Sequence, residues 1–322
     1  MNRIDSIKSQ IEALRGIRGL ENAFLAQQDG HPVASTGVWL SQDEIFGVSA
    51  AASAIYSVAR RLHETHSYTL VEGERAKFLI IALKGNPKYF LALTTLPKVN
   101  LGSLFQFVNY CTENIARLLT EADDIPPLRS YTSRQAETIT SGFDTTVHTS
   151  VHTLTSAPVH SQSLVLTEAV VAKLKELLDD FNELLSGVSN SFISLSGGYP
   201  IALTGLSSTN HSTLCAYTFS LFDTCRKIAW LTKRMGIDQV TIDYGQNHHF
   251  IYNAGQGIFS TTLNKNHVRL GFLRLMIPTF TVRIRETLHQ AAQTPDTPEQ
   301  RPPIEQFIKT LSAGLSSRRA TS

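Results

Sequence analysis

Two stretches of this chain spell nearly the same hairpin. FLAQQDGHPVASTG, from Phe24 to Gly37, lies against FISLSGGYPIALTG, from Phe192 to Gly205, at one constant offset. Phe24, Gly30, Pro32, Ala34, Thr36 and Gly37 recur identically, while Leu25 and Val33 are replaced by Ile193 and Ile201. Leu101-Gly102 is matched again by Leu270-Gly271. Matches held in register over such a distance mark an internal duplication. Whatever fold is assigned to one half must therefore suit the other.

The order of elements repeats as well. In the first half, Ile4, Ile7, Ile11 and Leu14 are spaced as one face of a helix that Gly16 and Gly19 end. Strands are predicted at Asn22 to Gln28 and Pro32 to Thr36, around the turn pair Asp29-Gly30. Ser41 caps a long helix reaching about Glu64, with Glu44 at the capping-box position. Strands follow at Tyr68 to Glu72, Lys77 to Leu83 and Tyr89 to Thr95, then a helix from about Leu101 to Leu119. The second half reads as a helix from Leu164 to Leu185, a hairpin of Ser191 to Leu195 with Pro200 to Thr204, and a long helix from Ser212 to Arg234. Strands at Gln239 to Asp243, His249 to Asn253 and Ile258 to Leu263 come next, before a last helix from His267 to His289 that Pro278 is expected to kink. Each half is α-β-β-α-β-β-β-α.

Between the halves the composition shifts to Thr and Ser with Pro126, Pro127 and Pro158 and no sustained apolar period. Such a segment buries too little to offset its ordering entropy, so residues 121–162 read as a flexible linker. The division is then 1–120, the linker, 163–293, and a Pro-rich tail at 294–322. In that tail Ile304, Phe307, Ile308 and Leu311 keep a short helical spacing. With 42% apolar residues and a net charge of +2, the chain has core-forming capacity and lacks the basic excess of a nucleic-acid binder. Three cysteines suit a reducing compartment. No signal peptide or membrane span is apparent, which makes a cytoplasmic protein the expectation.

The ordered pieces carry a resemblance. Gly16 to Leu20 ends the first helix, Asp29 to Ala34 forms a D-G-x-P-V-A hairpin, and Ile45 to Leu62 is an Ala-rich helix. Val71 to Arg75 spells V-E-G-E-R, and Asn100 to Gly102 opens the last helix. In this order they resemble the Roadblock family, which includes dynein light chains, Ragulator subunits and the bacterial gliding-motility partner of a small Ras-like GTPase. The resemblance covers Met1 to about Leu119 well and Leu164 to about Gln290 more loosely. In the second half Gly197 replaces Asp29, Arg269 replaces Asn100, and only Asp243 to Gly245 stands where V-E-G-E-R would be. The resemblance implies an α+β, profilin-like fold: a five-stranded antiparallel sheet flanked by helices, dimerised through the long second helix and a sheet edge.

The long helices fit that implication. Ile45, Val48, Ala52, Ile55, Ala59 and Leu62 trace an apolar stripe suited to a sheet. The small residues Ala50, Ala51, Ser53, Ala54 and Ser57 occupy the remaining surface, where close approach of a second helix is possible. In the second half Ala216, Ser220 and Thr224 hold the corresponding region, mixed with Leu221 and Phe222. These eight small residues are the candidate protein-interface positions. A flexible linker of roughly 45 residues has an r.m.s. span of about 35–40 Å, enough for the halves to pair within one chain. Either an intrachain pseudo-dimer or a homodimer is expected.

Motifs of catalysis are weak by comparison. His148, His152 and His160, with Asp144, sit in the linker without a helical pattern to gather them. Cys215 and Cys225 are ten residues apart on one helix, and Cys111 is in the other half, so buried free thiols are expected. His248 and His249 open a strand and point to opposite faces. Gly255-Gln256-Gly257 reads as a hairpin turn rather than a dinucleotide loop, and no phosphate-binding P-loop, nucleophile elbow or H-E-x-x-H occurs. Lys265, Arg269, Arg274, Arg283 and Arg285, preceded by Lys233-Arg234, form a run either for an acidic partner or membrane surface, or for a solvated helix face compensated by neighbouring acids. The expectation is a nonenzymatic interaction protein without cofactor or metal. By resemblance its partner is a small Ras-like GTPase whose hydrolysis it modulates. A structural scaffold and a ligand-sensing module are the alternatives.

Overall fold

The computed structural model describes residues 3–37, 40–120, 166–205, 211–233, 236–267 and 270–293. The linker and its three histidines, the C-terminal tail, Arg234 and Arg269 lie outside the described residues.

Helix α1 (Arg3–Ala13) continues into a 3₁₀ turn at Leu14–Gly16, with Ile7 and Ile11 fully buried. Strands β1 (Leu20–Gln27) and β2 (Pro32–Gly37) form the first hairpin. Helix α2 (Gln42–Leu62) starts in a complete capping box: the Ser41 hydroxyl accepts from the Glu44 amide, and the Glu44 carboxylate accepts from the Ser41 amide. Strands β3 (His66–Glu72), β4 (Lys77–Ala82) and β5 (Tyr89–Thr95) and helix α3 (Leu101–Thr120) complete the first half.

The second half runs α4 (Glu168–Leu184), β6 (Val188–Leu195), β7 (Pro200–Thr204), α5 (His211–Leu231), β8 (Gln239–Tyr244), β9 (Asn247–Asn253), β10 (Gly257–Asn264) and α6 (Leu270–Gln293). Several helix ends differ from their sequence-based bounds, and three of the differences have a local setting. Helix α4 begins at Glu168, because the Thr167 hydroxyl caps the Val170 amide. Helix α5 stops at Leu231, beyond which Lys233 takes a left-handed φ of 55°. Helix α6 starts after the turn at Asn264–His267 and runs on through Pro278, whose ring forfeits the hydrogen bond to the Arg274 carbonyl.

The ten strands among the described residues join one antiparallel sheet, in the order β2-β1-β5-β4-β3-β8-β9-β10-β6-β7. The order reads the same from either edge, since β7-β6-β10-β9-β8 repeats β2-β1-β5-β4-β3. Alternation along the strands divides the interior into layers. On one face, Phe24 and Ala26 of β1 join a core with residues of both α2 and α5. On the other, Ala23 and Leu25 join a core beneath α1 and α3, and α4 and α6 cover a third core with Ile193 and Phe259. Positive φ at the repeated hairpin glycine has a packing reason. At Gly198 (φ 81°) an added Cβ would sit 2.7 Å from the Ala216 Cα, and at Gly30 (φ 93°) it would sit 3.1 Å from the Ala50 Cα. The turn and the helix beneath it are therefore small together in both halves.

Candidate protein-interaction surfaces

The two halves meet along a seam with a strand layer and a helix layer. In the strand layer β3 pairs with β8, setting Tyr68 opposite Asp243, Leu70 opposite Thr241 and Glu72 opposite Gln239. In the helix layer α2 packs directly on α5. One apolar core contains Ala51, Ala52, Ile55 and Ala59 from α2 together with Leu221, Phe222, Cys225 and Ile228 from α5. Each helix also reaches over the other half's strands. Ile228, Ala229 and Thr232 near the end of α5 border a small cavity with Val71, Phe78 and Thr94 of the first half. His63, the residue closing α2, stacks on Tyr244 of β8 with ring centroids 3.5 Å apart.

The same histidine joins a hydrogen-bond chain. Its Nε2 lies 2.9 Å from Nδ1 of His249 on β9, and His249 Nε2 lies 2.6 Å from the Ser260 hydroxyl on β10. Burial lowers the pKa of His63 to about 4 and holds that of His249 well below the ordinary imidazole value. His66 is buried beside Tyr56, bonds to the Thr69 hydroxyl and is likewise lowered to about 4 by desolvation. The sequence offered no sign of this cluster, because its members come from opposite halves. Alternation along β9 does separate the neighbours: His249 meets His63, while His248 lies 3.0 Å from Asp243.

Charge is arranged about the seam with the same approximate symmetry. Glu72 is buried and accepts from Lys77, from the Gln239 amide and, at 3.4 Å, from Arg274 of α6. At the equivalent place on β8, buried Asp243 has His248 at 3.0 Å and the Lys265 ammonium at 2.8 Å. Burial alone would raise the Asp243 pKa; hydrogen bonds from His248 and Lys265 outweigh it and hold the carboxyl below its ordinary value. Both carboxylates stand five residues before their hairpin partner. A buried carboxylate is tolerated only when paired in this way. Gly73, next to Glu72, has no room for a side chain because the Gly236 carbonyl of the other half sits against it. Lys233 reaches Glu44 across the halves at 3.2 Å.

The structure separates the small helix residues singled out by sequence. Ala51 is fully buried in the shared core. Ala50 and Ser53 lie beneath the first hairpin, where the Ser53 hydroxyl donates to the Gln28 carbonyl. Ala54 and Ser57 are half-buried. On α5, Ala216 backs the second hairpin and remains exposed, as does Ser220, while Thr224 is half-buried and donates to the Ser220 carbonyl. The apolar neighbours Leu221 and Phe222 are the ones that enter the shared core. The three cysteines are buried, and desolvation raises the thiols of Cys111 and Cys215 to about 12. Of the basic run, Arg274 goes to Glu72, Lys265 to Asp243, Arg283 lies 3.8 Å from Asp180, and Arg285 donates to the Asn253 carbonyl. Neighbouring groups thus take up these cations.

Some large apolar side chains are left uncovered. On α3, Phe107 and Tyr110 are 57% and 68% exposed, and on α6 Phe272, Leu275 and Val282 stand out of the surface. Trp230 projects from the end of α5. Phe107 and Tyr110, three residues apart on one helix, are the candidate apolar interaction patch.

No protein-family model and no curated protein matches the chain. Among solved structures, the chain is similar to a Roadblock/LC7 domain from Streptomyces avermitilis, at 16% identity and a TM-score of 0.32, over 35% of this chain and 97% of that one. It is similar to MglB from Myxococcus xanthus at 16% identity and a TM-score of 0.38, over 41% and 100% of the two chains. For the gliding protein MglB from Thermus thermophilus the values are 17% and 0.32, over 37% and 90%.

Proposed function

We propose that this chain is a noncatalytic interaction protein in which two Roadblock-type units pair within one polypeptide, and that its partner is a small Ras-like GTPase. The observation carrying this reading is the seam: β3 with β8 and α2 with α5 bring together the strand and the long helix through which such units are implied to dimerise. The second half takes the place of a second copy. The order of motifs from Gly16 to Gly102 supports the family side of the reading, and the exposed aromatic groups of α3 support the binding side. In this reading Ala51 belongs to the internal pairing, and Ala216 and Ser220 belong to the surface offered outward. The protein works in the cytoplasm, without cofactor.

A titration of this protein into a Ras-like GTPase encoded beside its gene tests the proposal. Stable co-elution and a changed rate of GTP hydrolysis are expected. Unchanged hydrolysis together with no capture in a pulldown rejects it. Light scattering is expected to give a mass near the single-chain 35.5 kDa. A mass of two chains would place the pairing between molecules.

A structural scaffold is the second reading, favoured by β2 and β7, which end the sheet as edge strands. Co-elution with a larger assembly without any effect on hydrolysis distinguishes it. For a ligand-sensing module one concave feature among the described residues is a cleft of about 250 Å³ bordered by Tyr56, Arg60, His66, Tyr68, Phe105 and Asn109.

A further inference from the structure

Where β3 begins and β4 ends, the cleft of about 250 Å³ runs between the last turn of α2 and the side of α3. A break in strand register shapes it. Residues two apart on a regular strand share a face, but the pairing of β3 with β8 shifts between His66 and Tyr68. His66 accordingly meets α2, its ring centroid 5.5 Å from that of Tyr56, and Tyr68 meets α3, 4.7 Å from Phe105. Two aromatic pairs, one from each side of the sheet, therefore border one cleft.

The fold does not use up the polar groups around it. His66 is 7% exposed; its Nε2 meets the Thr69 hydroxyl, whereas Nδ1 is buried without a hydrogen-bond partner. Leaving such a nitrogen unpaired is costly, and a hydrogen-bonding group seated in the cleft removes that cost. Arg60, in the last turn of α2, lies over the Tyr56 ring and reaches the Pro87 carbonyl at 3.4 Å with one guanidinium nitrogen. A guanidinium has several more N–H donors, in a fork that matches a carboxylate. Glu64 and Lys84 stand on the rim, one charge of each sign. The volume equals that of about eight waters, which suits a compound of one or two rings.

We propose that this cleft binds a small planar aromatic acid. Its ring lies between the Tyr56–His66 and Tyr68–Phe105 pairs, its carboxylate takes the remaining N–H groups of Arg60, and a ring hydroxyl pairs with His66 Nδ1. The site gives the ligand-sensing reading a place and a chemical class, and it needs no GTPase. It belongs to the first half alone. Ala50 and Ala216 hold equivalent places beneath the two hairpins, and ten residues on from each stands an arginine, Arg60 and Arg226. Arg226 also borders a cleft, but with Asp223, Lys227 and Trp230, and no histidine is among its described lining residues. There Lys227 already pairs with Asp223 at 3.3 Å.

Titration calorimetry on the full chain tests the proposal, with benzoate, salicylate and para-hydroxybenzoate as probes. At least one is expected to bind, and Arg60→Gln to weaken it at least about tenfold. The corresponding amide is expected to bind the unaltered chain more weakly by a similar factor. Ser67→Trp, which fills the mouth from an exposed position, is expected to abolish binding without lowering the melting temperature. Arg226→Gln is expected to leave binding unchanged. No binding of any probe at millimolar concentration, by calorimetry and by saturation-transfer NMR, overturns the proposal. Equal losses in Arg60→Gln and Arg226→Gln overturn it as well. Binding that survives both Arg60→Gln and Ser67→Trp keeps a ligand-sensing chain but places the ligand elsewhere, and overturns this site.

Discussion

His63 Nε2 and His249 Nδ1 stand 2.9 Å apart, although 186 residues separate them. One closes α2 of the first half; the other is buried in β9 of the second. A hydrogen bond between two imidazoles needs at least one of them neutral, and burial on this scale favours both neutral. Burial of both rings is therefore expected to make the folded chain sensitive to acid.

For His63 and His66 the folded pKa of about 4 lies below the ordinary 6.5. Below 6.5 the unfolded chain binds protons that the folded chain refuses. Their contribution is present in full above about pH 6.5 and declines as the pH falls towards 4. Between pH 7.5 and 5 each is expected to cost about 2 kcal/mol of stability. Urea midpoints measured across this range check it. His63→Phe, which keeps a ring against Tyr244, is expected to remove one histidine's share of the slope.

Glu72 joins Lys77, Gln239 and Arg274, and so ties β4 of its own half to β8 and α6 of the other. Glu72→Ala leaves Lys77 and Arg274 facing each other without an anion. A loss of about 2–4 kcal/mol is expected, moderated by the partial exposure of Arg274. A double-mutant cycle with Arg274→Met is expected to show coupling, because the pair bridges the halves.

Ala51 has no exposed surface and shares its core with residues of α5. Ala51→Leu is expected to lower stability by about 1–3 kcal/mol through overpacking. Trp230, 62% exposed, provides the contrast: Trp230→Ala is expected to change stability by less than about 0.5 kcal/mol. Thermal melts of the two variants check both.

Gly198 holds φ at 81° with the Ala216 Cα 2.7 Å from any added Cβ, whereas Gly85, at φ 74°, has open space around it. Gly198→Ala is expected to cost about 2–3 kcal/mol, and Gly85→Ala about 1 kcal/mol from the backbone alone. Equal losses for the two would remove close packing as the reason the hairpin glycine recurs.

Phe107 and Tyr110 are exposed on α3. Replacing both with Ser is expected to weaken capture of the proposed Ras-like GTPase partner by at least about tenfold while leaving the melting temperature unchanged. A lower melting temperature would return the two side chains to the fold itself.

Much of the architecture was legible because its causes are local. The Ser41–Glu44 capping box, the period of Ile7 and Ile11, and the turn at Asp29-Gly30 act over a few residues, and the repeat allowed each element to be read twice. Helix ends were less legible where one side chain decides them, as Thr167 does for α4. The interface positions were read only in part. Small size on α2 has two causes, a helix neighbour at Ala51 and a hairpin turn at Ala50 and Ser53, and spacing does not tell them apart.

The identity and order of helices and strands, and their duplication, thus follow from the order of amino acids, since turns, caps and apolar periods depend on near neighbours. Which edge meets which is settled by contacts between residues far apart in the chain. The pairing of β3 with β8, the approach of His63 to His249 and the burial of Glu72 against Arg274 exist only once both halves are formed. Their free energy depends on excluding water from a surface that neither half possesses alone.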